Sequence, residues 1–357
     1  MEKINARKIA FTYAGSFLGA GYVSGQELWQ FFGEFGARGL VGFVLSLMMI
    51  TALGLAIMRI VTEAGVTEVD RVLVPWKRGA FPRSIAATLQ SVMLFGVLAV
   101  MLAGSGALLH QLFGLPTVLG SLIACVIAIY IALKGFGGIV RFFSLLVPVM
   151  VVLTLCFAAV SIASHGFPVP EATGGDNPLV RNWVIGSFTY AFFNVFVSVA
   201  VIAPLGVRAE SSKAARLGAW YAAAILLVIA MSVLCALNTY PEAAETALPM
   251  LTLAYSINKP MGFVYGVLLL LSMFGCILSV IVVIAEFICE KWTAAAKRNK
   301  TVVIALGAAG LAASLVGFGE LISVLYPLFG YIGSVFMVSM AVYAVKLIIN
   351  KRKAETK

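Results

Sequence analysis

Apolar residues in this chain come in long runs, each near the ~20 residues needed to cross the hydrocarbon core of a bilayer, and short polar stretches between them carry most of the charge. The pattern predicts ten membrane-spanning helices, near residues 8–33, 38–62, 84–113, 117–134, 139–164, 182–206, 214–238, 260–288, 301–317 and 324–349. The narrowest separation lies between the fourth and fifth, at Lys134 to Gly138. One run departs from the pattern. Between Gly15 and Gly25 the first span carries glycine at 15, 19, 21 and 25, followed at once by Gln26 and Glu27. Glycine in a helix interior costs about 1 kcal/mol relative to alanine, and backbone at bilayer depth must be paired or line a cavity. The segment therefore predicts a helix interrupted around a binding site, as in many secondary transporters. Glycines that merely let helices approach closely are the plainer alternative, and the adjoining polar residues favour binding.

Composition agrees with a membrane chain. It is 62% hydrophobic and 11% charged, where a soluble domain would carry about 25% charge. The net charge of +10 is unevenly placed: of 25 lysines and arginines, all but Arg38, Arg181 and Lys259 fall on one side when ten spans are threaded. That asymmetry is the positive-inside signal. It puts both termini in the cytoplasm and turns the basic surplus toward anionic lipid headgroups, not nucleic acid. An odd number of spans would break the alternation. Cys125, Cys156, Cys235, Cys276 and Cys289 lie within spans without metal-ligand spacing and read as small packing residues. The N-terminal run continues as a full span, unlike a signal peptide. The longest inter-span segment, Ala64 to Arg83, is basic and amphipathic and is expected along the inner membrane surface. No such segment is long enough for a second domain, so residues 1–357 are expected to form a single transmembrane domain.

Ten spans divide into halves of five, approximately 8–164 and 182–349, on either side of the polar outer loop Gly166 to Val180, which holds Pro168 and Asp176. Because five is odd, the halves would sit in opposite orientations, which is the inverted-repeat plan. Thr12-Tyr13-Ala14 in span one recurs as Thr189-Tyr190-Ala191 in span six, and span six has a polar interruption from Tyr190 to Asn194. A second break is expected there, at Asn194, whose amide can bond freed backbone groups.

Unwinding at Gly19 to Gly21 would free the carbonyls of Gly15 and Leu18 to face a cation, and would aim the amides of the next half-helix at an anion. Gly19, Ala20, Gly21, Ser24 and Gly25 on span one, with Tyr190, Phe193 and Asn194 on span six, are the expected substrate-binding residues. Ser187, Thr189 and Phe192 lie on the same stretch, and its aromatic rings can enclose an apolar group or stack on a cation. Ser24 and Glu27 have capping-box spacing, while a carboxyl at this depth is also a candidate for proton exchange. Both readings stay open. An ionised Glu27 would discourage an anionic cargo.

Gly19-Ala20-Gly21, then Ser24 to Glu27 and Phe31 to Gly36, resemble the first span of the YkvI-like bacterial membrane proteins, which are similar to the amino acid–polyamine–organocation superfamily. The resemblance implies the LeuT-type fold: an all-α polytopic membrane protein, ten transmembrane helices in a 5+5 inverted repeat, with helices 1 and 6 broken. It implies a secondary transporter in the bacterial cytoplasmic membrane. In relatives of this fold, sodium is held by first-span carbonyls and a hydroxyl pair on span eight. Here Ser279 offers one hydroxyl and its neighbours Leu278 and Val280 none, so a Na+ site at Gly15, Leu18 and Ser279 is half present. The lysine that replaces the ion in some relatives is missing from span five, between Arg141 and His165. Coupling is expected to use H+ through Glu27 or Na+ through Ser279, with no other cofactor.

An intramembrane enzyme would need a catalytic constellation, and neither His110 nor His165 sits near a matched nucleophile or metal cluster in sequence. A channel would favour a filter-like motif, which the sequence does not show; an ion channel or a transport-inactive membrane sensor stays as the alternative reading. The expected cargo is a small amino acid or related amine. The outer segment Pro241 to Pro249 is expected to form a lid helix started by Pro241, and Glu286 and Glu290 to lie at the inner interface beside Lys291.

Overall fold

Among the described residues the apolar runs lie mostly on helix. The computed structural model describes residues 3–65, 68–76, 80–134, 139–166, 170–175, 177–292 and 298–355. Gly135 to Gly138 of the narrow fourth–fifth separation lie outside the described residues, as do Pro168, Asp176 and residues 66–67 and 77–79 of the Ala64–Arg83 segment. The first run is built from α1 (Ala6–Gly15), α2 (Ala20–Ser24), α3 (Gln26–Leu28) and a π-helical turn over Trp29–Gly33. There follow α4 (Gly36–Ala64), α5 (Val69–Leu73), α6 (Ala80–Phe113), α7 (Thr117–Lys134), α8 (Ile139–His165), α9 (Trp183–Arg208), α10 (Ser212–Thr239), α11 (Pro241–Ala244), α12 (Pro249–Ile257), α13 (Lys259–Lys291), α14 (Asn299–Ser314) and α15 (Phe318–Glu355). Among the described residues α4, α6, α7, α8, α9, α10, α13 and α15 are long and apolar enough to cross a membrane, and α14 is apolar but shorter.

Helix pairing survives an exchange of the two halves. α1 packs on α10 as α4 packs on α9; α6 packs on α7 as α13 packs on α14; α8 packs on α1 as α15 packs on α9. α8 also meets α10 as α15 meets α4, and α7 meets α13 as α14 meets α6. α6 and α9 are mostly buried, whereas α7 and α15 turn apolar side chains outward, Leu122 and Val126 on one and Val335 and Val342 on the other. Such faces suit hydrocarbon as solvent.

Two connections carry short helices of their own. In the described part of the Ala64–Arg83 segment, α5 packs against α6, α9 and α15, and Val72 and Leu73 are buried. Trp76 carries the segment onto α15, donating to Ser339 Oγ at 3.0 Å and meeting the Tyr343 ring edge-on, while Arg83 donates to the Trp76 carbonyl at 3.3 Å. The lid helix is shorter than expected. Pro241 starts only the single turn α11, and the longer helix begins at the second proline, Pro249. At the chain's start, Ile4 pairs with Ala209 in a parallel bridge. The Ile4 amide donates to the Arg208 carbonyl at 2.8 Å and the Glu210 amide to the Ile4 carbonyl at 3.1 Å, and Lys3 Nζ donates to the Val207 carbonyl.

Candidate functional site

The first run is interrupted twice. α1 stops at Gly15 and the chain passes through tight turns, with the Leu18 amide donating to the Gly15 carbonyl at 3.2 Å and the Gly19 amide to the Phe17 carbonyl at 2.8 Å. Gly19 is extended (φ −73°, ψ 177°) and helix resumes at Ala20, so the gap covers Ser16–Gly19, just before the expected Gly19–Gly21. The second interruption is Gly25, at φ +86°, a left-handed conformation that favours glycine. In lipid the freed carbonyls must find donors, and both find them on α13. Ser272 Oγ donates to the Leu18 carbonyl and the Tyr265 hydroxyl to the Val23 carbonyl at 2.7 Å. Seven residues apart, these two donors lie on one face of α13.

Span six is not broken. α9 runs through from Trp183 to Arg208, which corrects the expected break at Asn194. The reason is local: Asn194 Nδ2 donates to the Tyr190 carbonyl at 3.1 Å and Thr189 Oγ1 to the Ile185 carbonyl at 2.7 Å. The polar side chains bond their own helix one turn back and leave it whole.

Between these helices lies a cavity of about 80 Å³, enough for several waters or a compact solute. Of the expected residues, Gly15, Gly19, Glu27, Phe193, Asn194 and Ser279 are on its wall. Met101, Ser198, Cys276 and Tyr326 join them, and Tyr326 stacks on Phe193 with ring centroids 4.2 Å apart. Ser272, two turns before Ser279 on the same helix, was not among the expected residues. Tyr326, on α15 next to Pro327, carries no comparable signal.

Other expected residues stand behind the wall. Gly21 is buried against Glu27; a Cβ there would sit 2.6 Å from Glu27 Oε2. The Tyr190 ring is packed among Phe31 and Phe32, with centroids 5.3 and 5.0 Å away. Ser24 forms only half of a capping box, its Oγ accepting from the Gln26 amide at 3.4 Å and donating to the Gly21 carbonyl, and Gly25 holds the cap position of α3. Glu27 does not return to the Ser24 amide; it turns to the cavity. The carboxyl is 4% exposed, with Tyr190 and Asn194 beside it, yet Glu27 Oε1 and the Tyr190 hydroxyl complete no hydrogen bond. The three groups expected to hold sodium are not brought together: Leu18 lies off the wall with its carbonyl taken by Ser272, and Ser279 Oγ donates to the Gly275 carbonyl at 2.7 Å.

A second cavity of about 650 Å³ shares Leu94, Ala200 and Val283 with the first and opens among Asp70, Arg83, Glu286, Glu290 and Lys291. Glu286 and Glu290 thus line an approach to the centre. The opposite side is roofed. The Thr173 amide donates to the Glu34 carbonyl at 3.1 Å, Phe35 bridges to Ala172, and Asn177 Nδ2 donates to the Ser323 carbonyl at 2.9 Å.

A family model described as spore germination protein matches residues 95–326. The uncharacterised membrane protein YkvI of Bacillus subtilis (strain 168) is 25% identical over 339 residues, 94% of this chain and 95% of that one, in keeping with the first-span resemblance. The crystal structure of MhsT in complex with L-phenylalanine matches with a TM-score of 0.69 at 16% identity, covering 94% of this chain and 89% of that chain. Mhp1, a nucleobase-cation-symport-1 family transporter in a closed conformation with bromovinylhydantoin bound, matches with a TM-score of 0.66 at 15% identity, covering 92% and 75%. At such identities the likeness is one of fold, an all-helical membrane bundle like those of MhsT and Mhp1.

Proposed function

Because this chain belongs to the spore germination protein family and shares its fold with MhsT and Mhp1, we propose that it is a secondary active transporter working by alternating access. Its cargo is a small polar solute, an amino acid or related amine. The observation that carries this reading is the central cavity, enclosed where the first span is interrupted, joined to a vestibule on one side and roofed on the other. An interrupted helix beside a mid-bundle cavity is how such carriers hold solute.

On this reading the first run and α14 also cross the bilayer, giving ten spans. The exchange-symmetric pairing of helices supports two inverted repeats within one domain. The basic residues put both termini and the vestibule on the cytoplasmic side of the bacterial plasma membrane, so the arrangement is inward-facing. Cysteine-accessibility labelling is expected to find Thr173 reachable from outside and Thr301 protected; the reverse would overturn the orientation. Coupling to H+ is supported by Glu27 on the wall, and coupling to Na+ by Gly15 and Ser279 on the same wall.

Counterflow by purified protein in liposomes tests transport directly: labelled solute is expected to exchange against unlabelled solute. The family description names a response, germination, and no cargo, which favours a second reading as a membrane sensor that binds solute without moving it. Binding without counterflow would select that reading.

A further inference from the structure

We infer that the cavity recognises its solute as a cation: an organic amine whose ammonium group is held at Glu27 and whose compact apolar body packs toward Phe193, Tyr326 and Met101. The inference rests on the solute-binding reading above and narrows its ligand class.

The first observation is an excess of acceptors. The buried side-chain oxygens that lack a partner among the described residues are Gln26 Oε1, Glu27 Oε1, Gln30 Oε1 and the Tyr190 hydroxyl. Of these Glu27 is on the cavity wall and the Tyr190 hydroxyl lies beside it, while Gln26 and Gln30 belong to the same stretch of chain but stand off the wall. A buried acceptor left unpaired is unfavourable, and an ammonium group, with three donors and no acceptor, is the complement of the Glu27 carboxylate.

The second is the sign of the charge. Glu27 is 4% exposed and on the cavity wall. The titratable groups facing it are Tyr22 on α2, Tyr190 on α9, Cys276 on α13 and Tyr326 on α15. Among the described residues no lysine, arginine or histidine lines the cavity. A carboxylate solute would meet another carboxylate with no counter-charge. The approach repeats the sign, with Glu68, Asp70, Glu286 and Glu290 set against Arg71, Arg83 and Lys291.

The third is the weakness of the alternative. The anion cradle expected at the second half-helix would depend on a long aligned dipole, but α2 spans five residues before the left-handed Gly25 ends it. The remaining wall suits an ammonium and its alkyl group. Phe193 and Tyr326 present stacked rings that can take a cation or an apolar group, and Met101 adapts to irregular shapes.

Three solutes with one apolar body and different charged ends test this: isoamylamine, leucine and 4-methylvalerate, with sodium chloride as an inorganic cation. Binding to the full-length protein in detergent is measured by calorimetry and thermal shift at fixed ionic strength. Isoamylamine is expected to bind at least tenfold more tightly than 4-methylvalerate and more tightly than leucine. In Glu27→Gln its affinity is expected to fall at least tenfold. Equal or tighter binding of 4-methylvalerate or leucine, unchanged amine affinity in Glu27→Gln, stabilisation by sodium alone, or no binding of the amine would each overturn the inference. If Glu27→Gln does not fold, the order of the three solutes on the unaltered protein decides. Counterflow of isoamylamine separates this inference from the transport reading: binding without exchange removes transport and leaves the charge selection standing, while exchange of leucine undisturbed by Glu27→Gln does the opposite.

Discussion

The first and sixth spans hold equivalent places in the bundle. α1 lies on α10 as α9 lies on α4, and each carries Thr-Tyr-Ala at the same place along it, beginning six residues after Ala6 and after Trp183. Yet one is interrupted twice and the other runs whole for 26 residues. Polarity alone does not explain this, because span six has Ser187, Thr189, Asn194 and Ser198. What differs is glycine and the neighbour. Span one has glycine at 15, 19, 21 and 25 and faces a helix whose Ser272 and Tyr265 accept responsibility for the two freed carbonyls. The equivalent neighbour of α9 is α6, which offers Gln90, its Nε2 donating at 3.2 Å to the Phe196 carbonyl. A membrane helix stays open where its own residues tolerate opening and another helix supplies the donors.

The largest expected effect comes from filling the space behind Glu27. In Gly21→Val the first added carbon would stand 2.6 Å from Glu27 Oε2 and 3.3 Å from Ile322 Cδ1, displacing the carboxyl. Solute binding is expected to fall by a factor of about a hundred or more, equivalent to about 2.7 kcal/mol, in a protein that still elutes as a folded species. Ser198→Ala, on the cavity wall of the continuous span, is expected to change affinity less than about tenfold, under about 1.4 kcal/mol. Equal losses in the two variants would erase the distinction between the spans.

Next is the left-handed break. Gly25→Ala forces a Cβ into φ +86° and to within 2.8 Å of Leu237 Cδ1, and a loss of roughly 1–3 kcal/mol is expected for the strain. Denaturation in detergent measures it, and an unchanged midpoint would mean that the chain near Gly25 can rearrange at no cost.

Smaller effects compare the donors. Ser272→Ala and Tyr265→Phe each leave a carbonyl beside an interruption of the first run without its partner, at about 1–2 kcal/mol each. Gln90→Leu removes a bond to a carbonyl inside an intact helix, and about 0.5 kcal/mol or less is expected. A Gln90→Leu loss as large as that of Ser272→Ala would point to a strained turn in α9 around Phe196. Asn194→Ala is expected to change stability least, because its amide donates to the Tyr190 carbonyl of its own helix, which stays intact without it.

Much of the fold was legible because hydrocarbon imposes a length on each apolar run. Thr117 to Lys134 was delimited to the residue, and Trp183 to Arg208 and Ser212 to Thr239 within two. The interruption of span one was legible from its glycines, since no other residue is so costly in a helix and so tolerant at positive φ. The break assigned to span six was not there, because a polar side chain inside a helix can bond its own turn as readily as a freed one. Glu27 had two readings on spacing alone, and only the packing of Gly21 and Tyr190 around it turns it toward the cavity. Ser272, Met101 and Tyr326 depend on how α6, α13 and α15 meet the first span, and contacts between distant helices leave no mark in the local pattern.

The short pairing of Ile4 with Ala209 has a mechanical consequence. It ties the start of the first run to the junction of α9 and α10, with Ile4 itself buried. On the alternating-access reading proposed above, a tilt of the first run would pull on α9 and α10 through this bridge. Around the vestibule the joins are single side chains, Lys291 on Ser84 and Arg83 on the Trp76 carbonyl. Closure of the vestibule would then fall at those joins, while the Ile4–Ala209 bridge holds.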